Sequence, residues 1–333
     1  MNRIVLATVL VLGLTGVGVA AQRGRGFPPP PSDAPQPGPG RGGRGGPDGL
    51  GALNVPASNP LTPEKIIAGR RLFFDTALSA DRSTSCATCH DPARAFTDGR
   101  AIAQGVHGEM GTRNSPTLVN AGLGRLFFWD GRADSLEAQA LQPMINPKEM
   151  GLTEADIASR TAMTAADVTA ALASYVRTIR SHESRVDYFR AGQTAMLTSD
   201  EQAGFEIFRG RGQCAVCHGG PDFTDNRFHN TGVGVRNGVS ADEGRYAISH
   251  DARDLGAFKT PTLREVALTA PYMHDGSLAT LEDVVAFYTK GGVRNPSLDP
   301  RMRPLRLDAT EKRQLVAFLK ALSGRITEGL PGR

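Results

Sequence analysis

Cys86-Ala87-Thr88-Cys89-His90 and Cys214-Ala215-Val216-Cys217-His218 decide how this chain is read, because between them they hold all four of its cysteines. Two thiols one helical turn apart can each add to a vinyl group of a porphyrin, and the histidine that follows then points at the iron. The pattern predicts covalent haem c at both places. Cys86, Cys89, Cys214 and Cys217 are the attachment points, and His90 and His218 the proximal iron ligands. Other uses of cysteine fit worse. Four cysteines are few for a disulfide framework in a core of this size, a thioredoxin-like motif would want one site in a βαβ unit, and a zinc cluster would have to unite two distant pairs.

Working outward from the motifs, the chain repeats itself. Asn114-Ser115-Pro116-Thr117-Leu118 answers Lys259-Thr260-Pro261-Thr262-Leu263, and Trp129-Asp130-Gly131 with Leu136-Glu137 answers His274-Asp275-Gly276 with Leu281-Glu282. One offset relates every pair. Apolar periodicity predicts a closing helix in each unit, roughly residues 165–180 and 309–322, while proline and glycine fill the stretches between. The expected fold is mostly α: two cytochrome c-like helical haem domains related by internal duplication, with long loops. Their expected extents are residues 61–185 and 186–333.

The repeat also distinguishes the two haems. Leu281, Val284, Val285 and Tyr288 fall at i, i+3, i+4 and i+7, so the Tyr288 phenol sits on the apolar face of a short helix, as a core side chain or as an iron ligand. The matching position in the first half is Pro143, which cannot ligate iron. The first haem is therefore expected to be open, and the second is closed if Tyr288 is a ligand rather than a core side chain.

The N-terminus carries no core. A basic start (Asn2, Arg3), an uncharged run over residues 4–20 and the small-residue site Val19-Ala20-Ala21 read as a signal peptide over residues 1–21, with retention as an N-terminal anchor the alternative. Residues 22–60 hold 10 prolines and 10 glycines, too little apolar surface to offset the entropy of ordering, and read as a disordered linker. Cleaved or retained, the N-terminal segment implies export to the periplasm. Of the formal net charge of +4, Arg3 and this tail carry most, so the folded part is nearly neutral and no nucleic-acid surface is expected.

Several further stretches carry a resemblance: Leu72-Phe73-Phe74-Asp75, Phe96-Thr97-Asp98-Gly99, Arg113-Asn114-Ser115-Pro116-Thr117-Leu118, Phe128-Trp129-Asp130-Gly131-Arg132, Glu149-Met150, and Leu268-Thr269-Ala270-Pro271-Tyr272-Met273-His274-Asp275-Gly276. Together with the haem motifs they resemble the bacterial di-haem cytochrome c peroxidase family, in its MauG-like branch, over about residues 68–290. The resemblance implies that Glu149 is the distal acid/base of the open haem, with Gln139 and Pro143 lining its pocket, and that Trp129 bridges the haems. It implies one calcium ion between them, held by Asn114 and the backbone carbonyls of Thr269 and Pro271. Tyr288 matches the axial tyrosine of the MauG-like branch, where ordinary peroxidases have methionine; Met273 and Met302 are the spare soft ligands. Many peroxidases also close the first haem with a histidine at the position that is Val106 here, and His107, one residue on, is the alternative axial ligand.

The implied activity is a periplasmic peroxidase that reduces hydrogen peroxide at the first haem with electrons relayed through the second. The donor would be a small cytochrome c or a cupredoxin. The alternatives are a MauG-like enzyme that oxidises residues of a partner protein, and a di-haem electron carrier with no catalysis. A second copy of the chain is a further candidate partner.

Overall fold

Thr62 caps the first helix, α1 (Pro63–Phe73), and Pro63 takes the first helical position, where a missing N–H costs nothing. The computed structural model describes residues 49–330. The expected signal peptide and most of the expected linker lie outside them. α2 (Cys86–Cys89) is a single turn carrying the first haem motif, and α3 (Leu136–Ile145) starts at a Ser135 cap and contains Pro143. α4 (Glu154–Thr161) and α5 (Ala165–Val176) complete the first half. In the second half come α6 (Arg185–Arg190), α7 (Ser199–Arg209), the one-turn α8 (Tyr246–Ser249), α9 (Leu281–Thr289) and α10 (Ala309–Lys320). The predominance of helix and loop matches the expectation. α5 stops short of its expected end because Arg180 is taken into a strand.

Three short antiparallel ribbons occur among the described residues, two joining separated segments and one a tight hairpin. β1 (Arg180–His182) pairs with β6 (Arg325–Thr327), β2 (Phe228–His229) with β5 (Phe258–Lys259), and β3 (Val235–Arg236) with β4 (Val239–Ser240). The first ribbon returns the end of the chain to the junction between its halves.

Each half has its own apolar core, and each core rests on a helix crossing at a glycine. Leu72, Phe73, Phe96, Met144, Ile157, Leu172 and Tyr175 pack in the first; Val186, Ile207, Phe208, Val285, Leu315, Phe318 and Leu322 pack in the second. Gly69 on α1 lies so close to α5 that a Cβ would overlap the carbonyl of Ala171, and Gly204 on α7 stands in the same relation to the Gln314 carbonyl on α10. Local geometry follows the sequence offset too. The bridge Phe127–Ala133 is matched by Tyr272–Leu278, and the positive φ of Phe128 (66°) and Asn120 (59°) by Met273 (75°) and Glu265 (59°).

Residues 50–60, placed by composition in the linker, are fastened to the first half. Leu50 is buried, the Asn54 N–H donates to the Gly122 carbonyl (2.8 Å), and Asn59 Nδ2 donates to Glu137 Oε1 (2.6 Å) and the Ala170 carbonyl (3.0 Å). The physical reason is local: glycine gives way after Gly51 to Leu53, Asn54 and Asn59, which can pack and hydrogen-bond. No helix of the described residues is long and apolar enough to cross a membrane.

Candidate active site

Both motifs open onto one cavity of about 750 Å³. The His90 ring is hydrogen-bonded through Nδ1 to the Phe96 carbonyl (3.1 Å), and the His218 ring through Nδ1 to the Phe223 carbonyl (3.0 Å). A carbonyl only accepts, so in each ring Nδ1 carries the proton and Nε2 keeps its lone pair for a metal. Burial lowers the pKa of both imidazoles and keeps them neutral, as an iron ligand must be.

The cysteines suit the same cofactor. Burial pushes the Cys86 thiol up to about 12, Cys89 to about 11 and Cys214 to about 12. Such thiols are poor thiolates for zinc or redox exchange, whereas a thioether to a porphyrin carries no charge to desolvate. A polar cluster lies beside the second motif. Cys217, Asp225 and His229 bring possible ligand atoms within 4.8 Å of one another, but a thioether at Cys217 leaves no thiolate to complete a metal triad.

The residues expected around the first haem line this cavity: Gln139, Pro143, Glu149 and Trp129. Pro143 comes from the last turn of α3, and Glu149 from the turn that follows it. Asn146 Nδ2 donates to Glu149 Oε1 (2.8 Å), fixing one carboxylate oxygen and leaving Oε2 for exchange. Burial raises the Glu149 pKa, against the Asn146 hydrogen bond and the charge of Arg132. Its proximity to the first motif is registered at Cys89, which the Glu149 charge also raises. Behind it, Gly105 packs against the Glu149 backbone so tightly that no Cβ fits, and the Val106 N–H donates to the Glu149 carbonyl (2.9 Å).

His107 is not on this cavity wall. Its side chain is 65% exposed, with Nδ1 3.3 Å from the Asp81 carboxylate, and its N–H donates to the same group (3.0 Å).

Tyr288, on α9, lines the cavity at the second motif. Burial raises its phenol, and Cys214 and Cys217 raise it further. Met273 and Met302 line the cavity as well.

Asn114, Thr269 and Pro271 line it between the halves. Asn114 Nδ2 donates to the Arg100 carbonyl (2.7 Å), which turns Oδ1 free. Trp129 Nε1 donates to the Asn114 carbonyl (2.9 Å), and the Trp129 ring meets His274 edge-on with centroids 6.5 Å apart. His274 in turn stacks on Phe258 at 3.5 Å. Arg113, which the sequence reading passed over as part of a motif, clamps the halves: Nη1 donates to Asp130 (2.6 Å), while Nε and Nη2 donate to Asp242 (2.7 and 2.8 Å).

Comparison with known proteins gives the family. Residues 63–195 match the family model described as di-haem cytochrome c peroxidase. The methylamine utilization protein MauG of Methylorubrum extorquens is 40% identical over 285 residues, covering 80% of each chain. The chain belongs to the di-haem cytochrome c peroxidase family. The cytochrome-c peroxidase IdrP1 of Denitromonas iodatirespirans is 36% identical over 321 residues, covering 82% of this chain and 85% of that one. Among solved structures, a MauG-like protein associated with microbial copper homeostasis superposes with a TM-score of 0.76 at 36% identity, covering 82% of this chain and 92% of the other. As a member of this family the chain is an oxidoreductase acting on peroxide and carries two c-type haems.

Proposed function

We propose that this protein is a periplasmic di-haem peroxidase whose first haem, in the domain of residues 61–185, meets hydrogen peroxide while the second, in the domain of residues 186–333, relays electrons. The matched local geometries at one offset support descent of the two domains from one ancestral unit. The observation that carries the functional reading is the asymmetry of the cavity wall: Glu149 and Pro143 at the first motif against Tyr288 at the second. A haem c held at each motif supplies an iron for O–O cleavage and for electron storage and transfer.

The chain's own part is proton movement and orientation. Overall, H₂O₂ + 2 H⁺ + 2 e⁻ gives 2 H₂O. Glu149 Oε2 takes the proton from one peroxide oxygen and delivers it to the other, so that the departing oxygen leaves as water. Asn146 holds Oε1 and so orients the shuttle. Partial burial keeps the carboxyl pKa above its ordinary value, closer to a range where both transfers are easy. Trp129 stands on the path between the halves, and an electron carrier alone would need neither this acid/base nor a ligand-free wall.

Asn114, with the carbonyls of Thr269 and Pro271, suits a calcium ion, a hard cation that takes oxygen ligands. Exhaustive chelation is expected to change the haem spectra and lower activity, with calcium restoring both. Active protein free of calcium by metal analysis would remove the site.

Tyr288 favours a second reading. An axial phenolate stabilises oxidised iron, which suits a MauG-like enzyme that oxidises residues of a partner protein at its surface. Peroxide titration of the purified protein, followed by optical and Mössbauer spectroscopy, tests both readings. Turnover with a small cytochrome or cupredoxin supports the peroxidase. A long-lived oxidised state that such donors discharge slowly supports the second reading, and no reaction with peroxide defeats both.

A further inference from the structure

Lys259 is the residue that the repeat sets opposite Asn114. It ends β5, where its N–H donates to the Trp129 carbonyl (2.8 Å), and its half-buried side chain lines the cavity. Two residues later, the Pro261 backbone acts on His218, as the Pro116 backbone acts on His90. Lys259 thus belongs to the second motif's surroundings in the way Asn114 belongs to the first's.

The other cations on the cavity wall are already accounted for. Arg113 and Arg132 are held by Asp130 (2.6 and 2.9 Å), and Arg301 by Asp299 (2.7 Å). Lys148 and Arg303 are exposed to solvent. Among the described residues the Lys259 ammonium has neither a hydrogen-bond acceptor nor an ion-pair partner. The one carboxylate whose charge reaches it is Asp222, which already accepts from Asn120 Nδ2 (2.7 Å) and Thr262 Oγ1 (3.1 Å). Burial, only partly opposed by Asp222, depresses the Lys259 pKa to about 8. A desolvated ammonium without a counter-ion is costly, and folded proteins pair such groups.

We infer that Lys259 is the carboxylate-binding residue of the second haem site, donating from Nζ to a haem propionate. The second half would then carry in its own sequence the positive charge that the first half takes from a bound cation at Asn114. The inference rests on the two-haem reading, which the mass of each variant checks separately.

The test uses the haem-loaded full chain as wild type, Lys259→Met and Lys259→Arg, each confirmed by mass to hold two haems. Spectroelectrochemical titration should show the midpoint of the second haem shifted downward in Lys259→Met, because removing a nearby positive charge favours ferric iron. Lys259→Arg should return most of the shift, and the first haem should move less. An unchanged second midpoint in Lys259→Met, or a downward shift that arginine leaves in place, overturns the inference. If Lys259→Met fails to mature, a crystal structure of the wild-type holoprotein decides. Nζ within hydrogen-bond distance of a propionate oxygen upholds the assignment, and Nζ paired only with Asp222 refutes it.

Discussion

His90 and His218 are held alike, each through Nδ1 to a carbonyl a few residues further on (3.1 and 3.0 Å), yet at one matched position the first half places Pro143 and the second Tyr288. The helix crossings behind them are alike as well, with Gly69 and Gly204 each closing on a backbone carbonyl. The two halves therefore agree where a histidine must be presented and differ on the cavity wall. A frame that holds the histidine by backbone hydrogen bonds leaves the side chains of that wall free to diverge, and in the proposed function a proline or a tyrosine at one position separates a site for substrate from one for electron transfer.

The largest effect expected from breaking this contrast is at Glu149. Glu149→Gln keeps the shape and the Asn146 contact but cannot cycle a proton, and groups of this kind contribute roughly 100- to 10,000-fold. Stopped-flow mixing with peroxide should show a loss of that order with little change in the resting spectrum. The accepting form is the carboxylate, so the wild-type rate should fall as pH drops through the Glu149 pKa, which burial holds above 4.5. A variant reacting at the wild-type rate would remove Glu149 from the chemistry.

Tyr288 probes the other side of the contrast. Burial raises its phenol, so ionisation must be driven by a metal charge at the second site. Tyr288→Phe should open that site, and Tyr288→Met should raise its potential, since a neutral thioether does not stabilise ferric iron as phenolate does. Resting-state EPR of the wild type should show one five-coordinate high-spin haem and one six-coordinate haem. The ferric protein should then react with peroxide without prior reduction. A wholly low-spin ferric form that peroxide leaves unchanged would mean that a ligand such as His107 closes the first haem.

What could be read from the sequence divides along physical lines. The haem motifs, the Tyr288 face of α9 and the offset of the repeat are local or periodic signals; both motifs and Tyr288 line one cavity, and the Phe127–Ala133 bridge has a counterpart in Tyr272–Leu278. His107 differs: it sits exposed in a left-handed turn (φ 56°) with its ring beside Asp81. Arg113 and His229 depend on partners far along the chain, Asp242 and Asp299, and no spacing rule announces those. Asn146 was within reach, since an asparagine three residues before a glutamate in a turn can hold its carboxylate.

Matched substitutions at the two crossings ask whether the halves are equal in packing. Gly69→Ala and Gly204→Ala each drive a Cβ into a backbone carbonyl rather than into a flexible side chain. Overpacking of this kind costs about 1–3 kcal/mol. Denaturant unfolding should show similar losses for the two variants, each reported first by the haem of its own half. A large effect at one crossing with none at the other would show that the frames bear load differently.

The smallest effect concerns a feature that only the second half has. Eleven residues beyond the motif histidine the second half has His229 and the first has Ala101. His229 is buried, with Nε2 2.9 Å from Asp225 and Nδ1 2.8 Å from Asp299. Arg301 Nη2 also lies 2.9 Å from Nδ1, while its main partner is Asp299. Cys217, then Asp225 and Asp299, raise the His229 pKa to about 9 against the opposing effect of burial. Once Cys217 is a thioether its part falls away, leaving Asp225 and Asp299 to raise the value against burial. A raised histidine pKa contributes stability that is fully present below the unfolded value and is lost as pH rises through the folded one. His229→Gln keeps hydrogen-bonding capacity but not the charge, so it should cost about 1 kcal/mol at pH 6. By pH 9.5 the cost should be close to nothing. Thermal unfolding followed at the haem bands at both pH values measures this difference, and a variant whose stability changes with pH as the wild type's does would show that His229 is held neutral between its two carboxylates.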